Sequence, residues 1–167
     1  DAKSLILKTL GGKDALLFAP ALAAVPANFG EAEISQVGDL MPRLPVAASI
    51  QLAGILAGYP ADAVRPYLLS AAENPSSDVR LAALRSIAAA GDGKSVVFLA
   101  AKAARSAGAE QDAAREALAR LRGSDVDEAI LAHLAKASDD AVKAELVQAA
   151  GTRRIAGAEP ALMDIVK

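Results

Sequence analysis

The stretch DVRLAALRSI, residues 78–87, recurs along the chain and decides its fold. Two other segments align with it without gaps: DAAREALARL at 112–121 and AVKAELVQAA at 141–150. In each copy, apolar residues return at intervals of three and four, which predicts an amphipathic helix. Alanine, the strongest helix former, fills much of the remainder. The stretch is therefore the first helix of a repeating unit.

Two series of apolar residues carry this repeat through the whole chain. The anchors of the first helices are Leu22, Leu52, Leu84, Leu118 and Val147, and those of the second helices are Val37, Leu68, Leu99, Leu134 and Leu162. Such a period is typical of helix pairs that stack to share one core. We expect an all-α fold with a leading helix near 2–10 and five antiparallel pairs. The pairs are expected near 12–43, 45–74, 77–107, 110–137 and 139–167.

Capping and spacing residues agree with these boundaries. Aspartates stand where helices should begin, at Asp14, Asp78 and Asp139. Glycines stand where the first helices should close in a left-handed conformation, at Gly58, Gly91, Gly123 and Gly151. Pro66 is expected in the first turn of its helix, where a missing N–H costs little. Small side chains that would let helices approach closely are Ala83, Ala88, Ala117 and Ala149.

Composition excludes several classes of site. The 167 residues include no Cys and one His, so Cys-ligated metal, disulfides and multi-histidine sites are excluded. We expect no cofactor and no metal. The net charge of −2 does not favour nucleic acid or membrane surfaces. The longest uncharged window, 44–61, is bracketed by prolines, so we expect no membrane insertion. No signal peptide is visible, and we expect the chain to be a fragment of a longer protein.

The segment GDGKSVVFL, residues 91–99, adds a more specific pattern. Together with residues 78–80 and the Ala-Leu pairs at 83–84 and 117–118, it resembles the bacterial HEAT-like repeats, the type also found in phycobilin lyase proteins. The resemblance is good over 45–167 and looser over 12–44. It implies a right-handed α-α superhelix, or solenoid, whose second helices line a concave surface. It also implies binding and scaffolding rather than catalysis.

Three rings occupy equivalent positions of successive repeats. Tyr67, Phe98 and His133 each precede a second-helix anchor, so they are expected to form a ladder along the array. Lys102 lies one turn beyond Phe98, and Arg105 follows. If the resemblance holds, these five residues line a partner-binding groove. The alternative is that the rings of Tyr67 and Phe98 complete the core between helices.

The sequence favours a non-enzymatic module that binds a protein or peptide partner on its concave surface. An alternative is an accessory subunit, or a lyase-like or chaperone-like assembly factor for a chromophore or an enzyme. A HEAT-like DNA-binding protein is less favoured, because the arginines are diluted by carboxylates and there is no Trp to stack on a base. Open ends of the helical array would also allow self-association.

Overall fold

The computed structural model describes residues 1–158, and all regular structure in that part of the chain is helical. The all-α prediction is confirmed there. The chain divides into two units, Asp1–Ala90 and Gly91–Lys167. Each unit is described separately below.

The first unit is built mainly from three longer helices, which are packed on one another. Its α-helices are α1 Ala2–Leu10, α2 Phe18–Ala23, α3 Val25–Asn28, α4 Ile34–Gly38, α5 Val46–Leu56, α6 Ala61–Ala71 and α7 Ser77–Ala90. The helices α5 and α6 both pack on α7, while α2 contacts α5 and α4 contacts α6. The leading helix and α5 to α7 occupy the ranges expected from the sequence.

The pair of helices expected over residues 12–43 is replaced by short segments. Two 3-10 helices, Ala15–Leu17 and Met41–Arg43, flank α2, α3 and α4. Pro26 lies in the first turn of α3, and Pro42 lies in the first turn of the second 3-10 helix. Because proline has no N–H to give to a preceding turn, each proline starts a new segment rather than extending the old one.

The second unit contains four longer helices. They are α8 Val96–Arg105, α9 Ala109–Arg120, α10 Val126–Lys136 and α11 Asp140–Arg153, and a 3-10 helix at Gly93–Ser95 precedes them. The helix α8 packs against both α9 and α11, and α11 also contacts α9 and α10. The second helix of the expected fifth pair, with Leu162, falls outside the described residues.

The anchor residues form the core of both units, with one correction. Leu22, Leu52, Leu84 and Leu118 are buried in the first series, and Val37, Leu68, Leu99 and Leu134 are buried in the second. Val147 is only half-buried, whereas the preceding Leu146 is buried. The prediction of Val147 as an anchor is therefore wrong by one residue. The helix α11 turns Leu146 toward its neighbours, and the ungapped alignment could not detect that rotation.

Helix ends are only partly as expected. Asp14 and Asp139 cap through their side chains, as predicted, but Asp78 is the second residue of α7. Pro66 lies inside α6 instead of in its first turn. The prediction that Gly58, Gly91, Gly123 and Gly151 close helices in a left-handed conformation is wrong. Within residues 1–158, positive φ occurs instead at Gly108, Arg154 and Gly157. Gly151 is an interior residue of α11, which continues to Arg153 and ends with Arg154 at φ 54°.

One arginine ties three helices of the second unit together. Arg153 donates from Nη1 to the carbonyl oxygens of Ala119 and Leu121, at 2.8 and 3.0 Å. Its Nε donates to Asp127 Oδ1 at 2.6 Å. The two carbonyls lie at the end of α9, where helical partners are missing, so the guanidinium satisfies them while it pairs with a carboxylate of α10.

Candidate partner-binding surface

The second unit has an open groove where α10 ends and α11 begins. We call it the α10–α11 groove, and its volume is about 240 Å³. Its apolar residues are Val97, Ala137, Val142 and Leu146, and its polar residues are His133, Lys136, Ser138 and Asp139. A concave apolar surface with a few polar groups at its edge is typical of a recognition site.

The apolar base of this groove comes from two helices. Val142 and Leu146 are four residues apart, so they lie on the same side of α11. Leu146 is buried, whereas Val97, in the first turn of α8, keeps 48% of its surface exposed. The groove therefore presents an exposed aliphatic side chain beside a buried one.

The polar residues of the groove come from the end of α10 and from the start of α11. His133 and Lys136 are three residues apart on the last turns of α10. Asp139 accepts hydrogen bonds from the backbone N–H groups of Ala141 and Val142, at 2.9 and 3.3 Å, so capping fixes its carboxylate. The imidazole and the ammonium group therefore face the groove from one side, and a fixed carboxylate faces it from the other.

Of the five residues predicted for a binding groove, one lines this groove and a second pairs with one of its lining residues. His133 lines it. Arg105 Nη2 lies 3.9 Å from Asp139 Oδ2, and since both side chains are exposed, this ion pair adds little stability. Arg105 therefore contacts a residue of the rim without lining the groove itself.

Lys102 is directed elsewhere, although it shares a stripe of α8 with Arg105. Its Nζ lies 2.8 Å from Glu110 Oε1 at the start of α9, and both side chains are mostly buried. Phe98 is half-buried one turn before Lys102 on the same side of α8. The two cations of α8 therefore pair with different helices. Lys102 pairs with Glu110 at the start of α9, and Arg105 pairs with Asp139, which caps α11.

Tyr67 belongs to the first unit, where its ring packs on α4. A Cβ atom built at Gly38 would lie only 2.6 Å from Tyr67 Cγ, so the ring lies directly against the glycine backbone. Burial raises the pKa of the Tyr67 hydroxyl, and the neighbouring Asp39 carboxylate raises it further. This packing favours the interpretation of Tyr67 as a side chain that completes the contact between α6 and α4.

Sequence reasoning missed Val97 as a surface residue. The available signal was an apolar residue two positions before the buried Leu99, on a helix whose buried side was already known. A single aliphatic residue off the buried stripe is common on protein surfaces, so this signal alone does not identify a contact; the groove around Val97 does.

A second groove of the same unit, about 280 Å³ in volume, runs between α9 and α11. Its charged side chains are paired with each other. Arg115 binds Glu145 through two hydrogen bonds, at 2.7 and 2.8 Å, and this contact raises the pKa of the guanidinium. Arg120 pairs with Glu116 at 2.9 Å. Because Glu145 is buried, we interpret this cluster as an inter-helix contact rather than a recognition site.

Two broader features concern residues 1–158 only. In this part of the chain no three His, Asp or Glu side chains are placed together to hold a metal ion. No helix among these residues is both long and apolar enough to span a bilayer.

Comparisons of the chain with protein-family models, with curated proteins and with solved structures found no match.

Proposed function

We propose that this chain is a helical-repeat interaction module that binds a segment of a protein partner in the α10–α11 groove. In this proposal the helix pairs continue as a HEAT-like, right-handed solenoid, and the groove belongs to its binding surface. The observation that carries the proposal is the exposed Val97 beside the apolar side chains of α11, surrounded by polar groups.

The groove is suited to one apolar side chain of a partner. Covering Val97 and Val142 would remove aliphatic surface from water, which is worth about 25 cal/mol for each Å² buried. A few side chains seated in well-packed pockets often dominate the energy of such an interface. We therefore expect the partner to insert a Leu, Ile or Met side chain.

The polar residues at the edge of the α10–α11 groove would determine which partner residue is favoured next to the inserted apolar side chain. Asp139 is already engaged in capping and faces Arg105, whereas Lys136 is exposed beside His133. A carboxylate next to the apolar anchor would meet the Lys136 ammonium, and this pairing would add selectivity and speed of encounter more than affinity. The proposed ligand is therefore a peptide segment with an apolar residue followed or preceded by an acidic one.

The test is selection from a displayed peptide library, followed by affinity measurements on the selected peptides by calorimetry. We expect Val97→Asp to weaken binding by at least about tenfold, because it places a carboxylate in the apolar base. Asp is well tolerated in the first turn of a helix, so the variant should fold.

Val46→Asp is the matched control. Val46 is also an exposed valine in the first turn of a helix, with 46% of its surface accessible against 48% for Val97. Its substitution should leave affinity unchanged. Failure to enrich any peptide, or an equal loss of affinity in both variants, would refute the proposal. Salt-dependent binding of duplex DNA that Val97→Asp does not alter would favour a nucleic-acid partner instead.

A further inference from the structure

The α10–α11 groove contains the only histidine of the 167-residue chain. His133 is half-buried and lines the groove, so part of its surface is open to a bound ligand. Histidine is the one side chain that ordinarily changes its charge between about pH 5 and 8. Whether a ligand's carboxylate responds to that charge depends on the other charged groups at the edge of the groove.

The charged groups around His133 come from three elements. Lys136 follows three residues later on α10 and is exposed. Asp139, the cap of α11, lines the groove as well, and Arg105 at the end of α8 pairs with it. The 3-10 helix that precedes α8 also packs on α10, but its Lys94 does not line the groove. The carboxylate among these lining residues is therefore that of Asp139.

Both oxygens of Asp139 already have neighbours. Its Oδ1 accepts hydrogen bonds from the backbone N–H groups of Ala141 and Val142, at 2.9 and 3.3 Å. Its Oδ2 lies 3.9 Å from Arg105 Nη2. Because this carboxylate caps a helix and has a cation beside it, it does not cancel a positive charge on His133. A proton on the imidazole therefore adds to the positive charge at the edge of the groove.

Lys136 couples that proton to the ligand. Residues three apart on a helix are neighbours on its surface, and like charges in such positions repel each other. A ligand carboxylate beside His133 and Lys136 relieves this repulsion and pairs with both cations. When two ligands stabilise each other's binding, the effect is reciprocal. The carboxylate therefore favours the proton, and the proton favours the carboxylate.

We propose that His133 links ligand binding in the α10–α11 groove to proton binding, so that an acidic segment of a partner binds more tightly at lower pH. This inference rests on the proposed function and adds a regulation to it. Because exposed ion pairs contribute little, the affinity should rise by about two- to fivefold between about pH 8 and about pH 5.5.

The experiment is calorimetry of the chain with a peptide from the library selection. The peptide has blocked ends, no histidine, and one Asp or Glu next to its apolar residue. Its carboxylate ionises near pH 4, so it stays charged at both pH values. We expect the affinity to rise at the lower pH. Titrations at about pH 6.5 in buffers of different ionisation enthalpy should show uptake of a fraction of a proton on binding.

Three controls separate the histidine from other causes. His133→Gln should abolish both the pH dependence and the proton uptake. Lys136→Gln should weaken binding at both pH values and keep the rise at lower pH. A peptide with Asn or Gln in place of its acidic residue should bind the parent chain with the same affinity at both pH values.

The outcomes distinguish this inference from the proposed function. Equal affinity at both pH values overturns this inference alone, as does a pH dependence that survives His133→Gln or the neutral peptide. Failure to bind any peptide at either pH overturns both. Circular dichroism at both pH values verifies that each variant stays folded.

Discussion

The contact between Gly38 and Tyr67 allows a sharp test of packing in the first unit. A methyl group added at Gly38 would lie 2.6, 2.7 and 2.8 Å from three ring atoms of Tyr67, whereas ordinary contacts begin at 3.4 Å. The ring must therefore retreat by roughly 0.8 Å at its closest atom, in a packed environment that resists such shifts. Gly38→Ala is the perturbation.

Two opposing effects set its magnitude. Overpacking of this kind costs about 1–3 kcal/mol. Replacing a helical glycine by alanine stabilises by about 0.5–1 kcal/mol, and less at the last residue of a short helix such as α4. We expect a net loss of about 1–2 kcal/mol in the free energy of unfolding. In a Tyr67→Ala background the obstruction is gone, so the same substitution should stabilise by a few tenths of a kcal/mol, which is roughly the helical effect alone.

The assay is urea unfolding of the parent chain, the two single variants and the double variant, followed by far-ultraviolet circular dichroism. A coupling energy of about 2 kcal/mol between the two sites is expected. Gly54→Ala is the control, because Gly54 lies inside α5 with no atom within 4 Å of its added Cβ, and it should only stabilise. The reasoning is refuted if Gly38→Ala stabilises the chain while the Tyr67 ring is present.

Three further predictions concern the core, pH and the α9–α11 junction. Leu146→Ala should cost about 2–4 kcal/mol and Val147→Ala roughly 1, since only the first side chain is buried; urea unfolding compares them. The hydrogen bond from Lys3 lowers the pKa of Glu33 below 4.5, so its stabilisation is present above that pH and lost as pH falls through the lowered value. Glu33→Gln should flatten this part of the stability–pH curve, and an unchanged slope would contradict the assignment. Arg153→Lys should destabilise by about 1–3 kcal/mol, because an ammonium cannot serve two carbonyls and a carboxylate as the planar fork does; Arg154→Lys is its control.

The buried sides of the longer helices could be predicted from the sequence because burial follows periodicity. Leu52 and Leu84 are buried on their helices, and so are Leu68 and Leu99. A helix that places one apolar stripe on its neighbours must repeat that stripe about every 3.6 residues. The alignment of three similar stretches was therefore enough to locate most of these anchors.

Failures occurred where one residue or one backbone angle decides the outcome. Val147 aligned with the earlier anchors, but rotation of α11 buried Leu146 instead. The glycines expected to close helices have ordinary φ values, and Arg154 takes the left-handed position. Such end conformations depend on a few local hydrogen bonds, as between Arg154 N and the carbonyl oxygens of Ala150 and Gly151, which the apolar spacing does not specify.

The candidate surface was predicted only in part for a related reason. Equivalent repeat positions identified His133, which lines the α10–α11 groove. Lys102 was added to the same group because it lies one turn beyond Phe98, but the structure pairs it with Glu110 instead. The end of a long side chain can reach either of two neighbouring helices. The position in the repeat determines where the Cα atom of such a residue lies, whereas the nearest opposite charge determines where the end of its side chain lies.

The sequence by itself determined the helical class and most of the buried anchors, because propensity and apolar spacing act within each segment. Only the tertiary structure decided which apolar side chains stay exposed, since exposure depends on what the neighbouring helices cover. Val97 and Leu16 are ordinary aliphatic residues in the sequence. Both stay exposed after their units have packed, and Val97 becomes a candidate contact because it lines the α10–α11 groove.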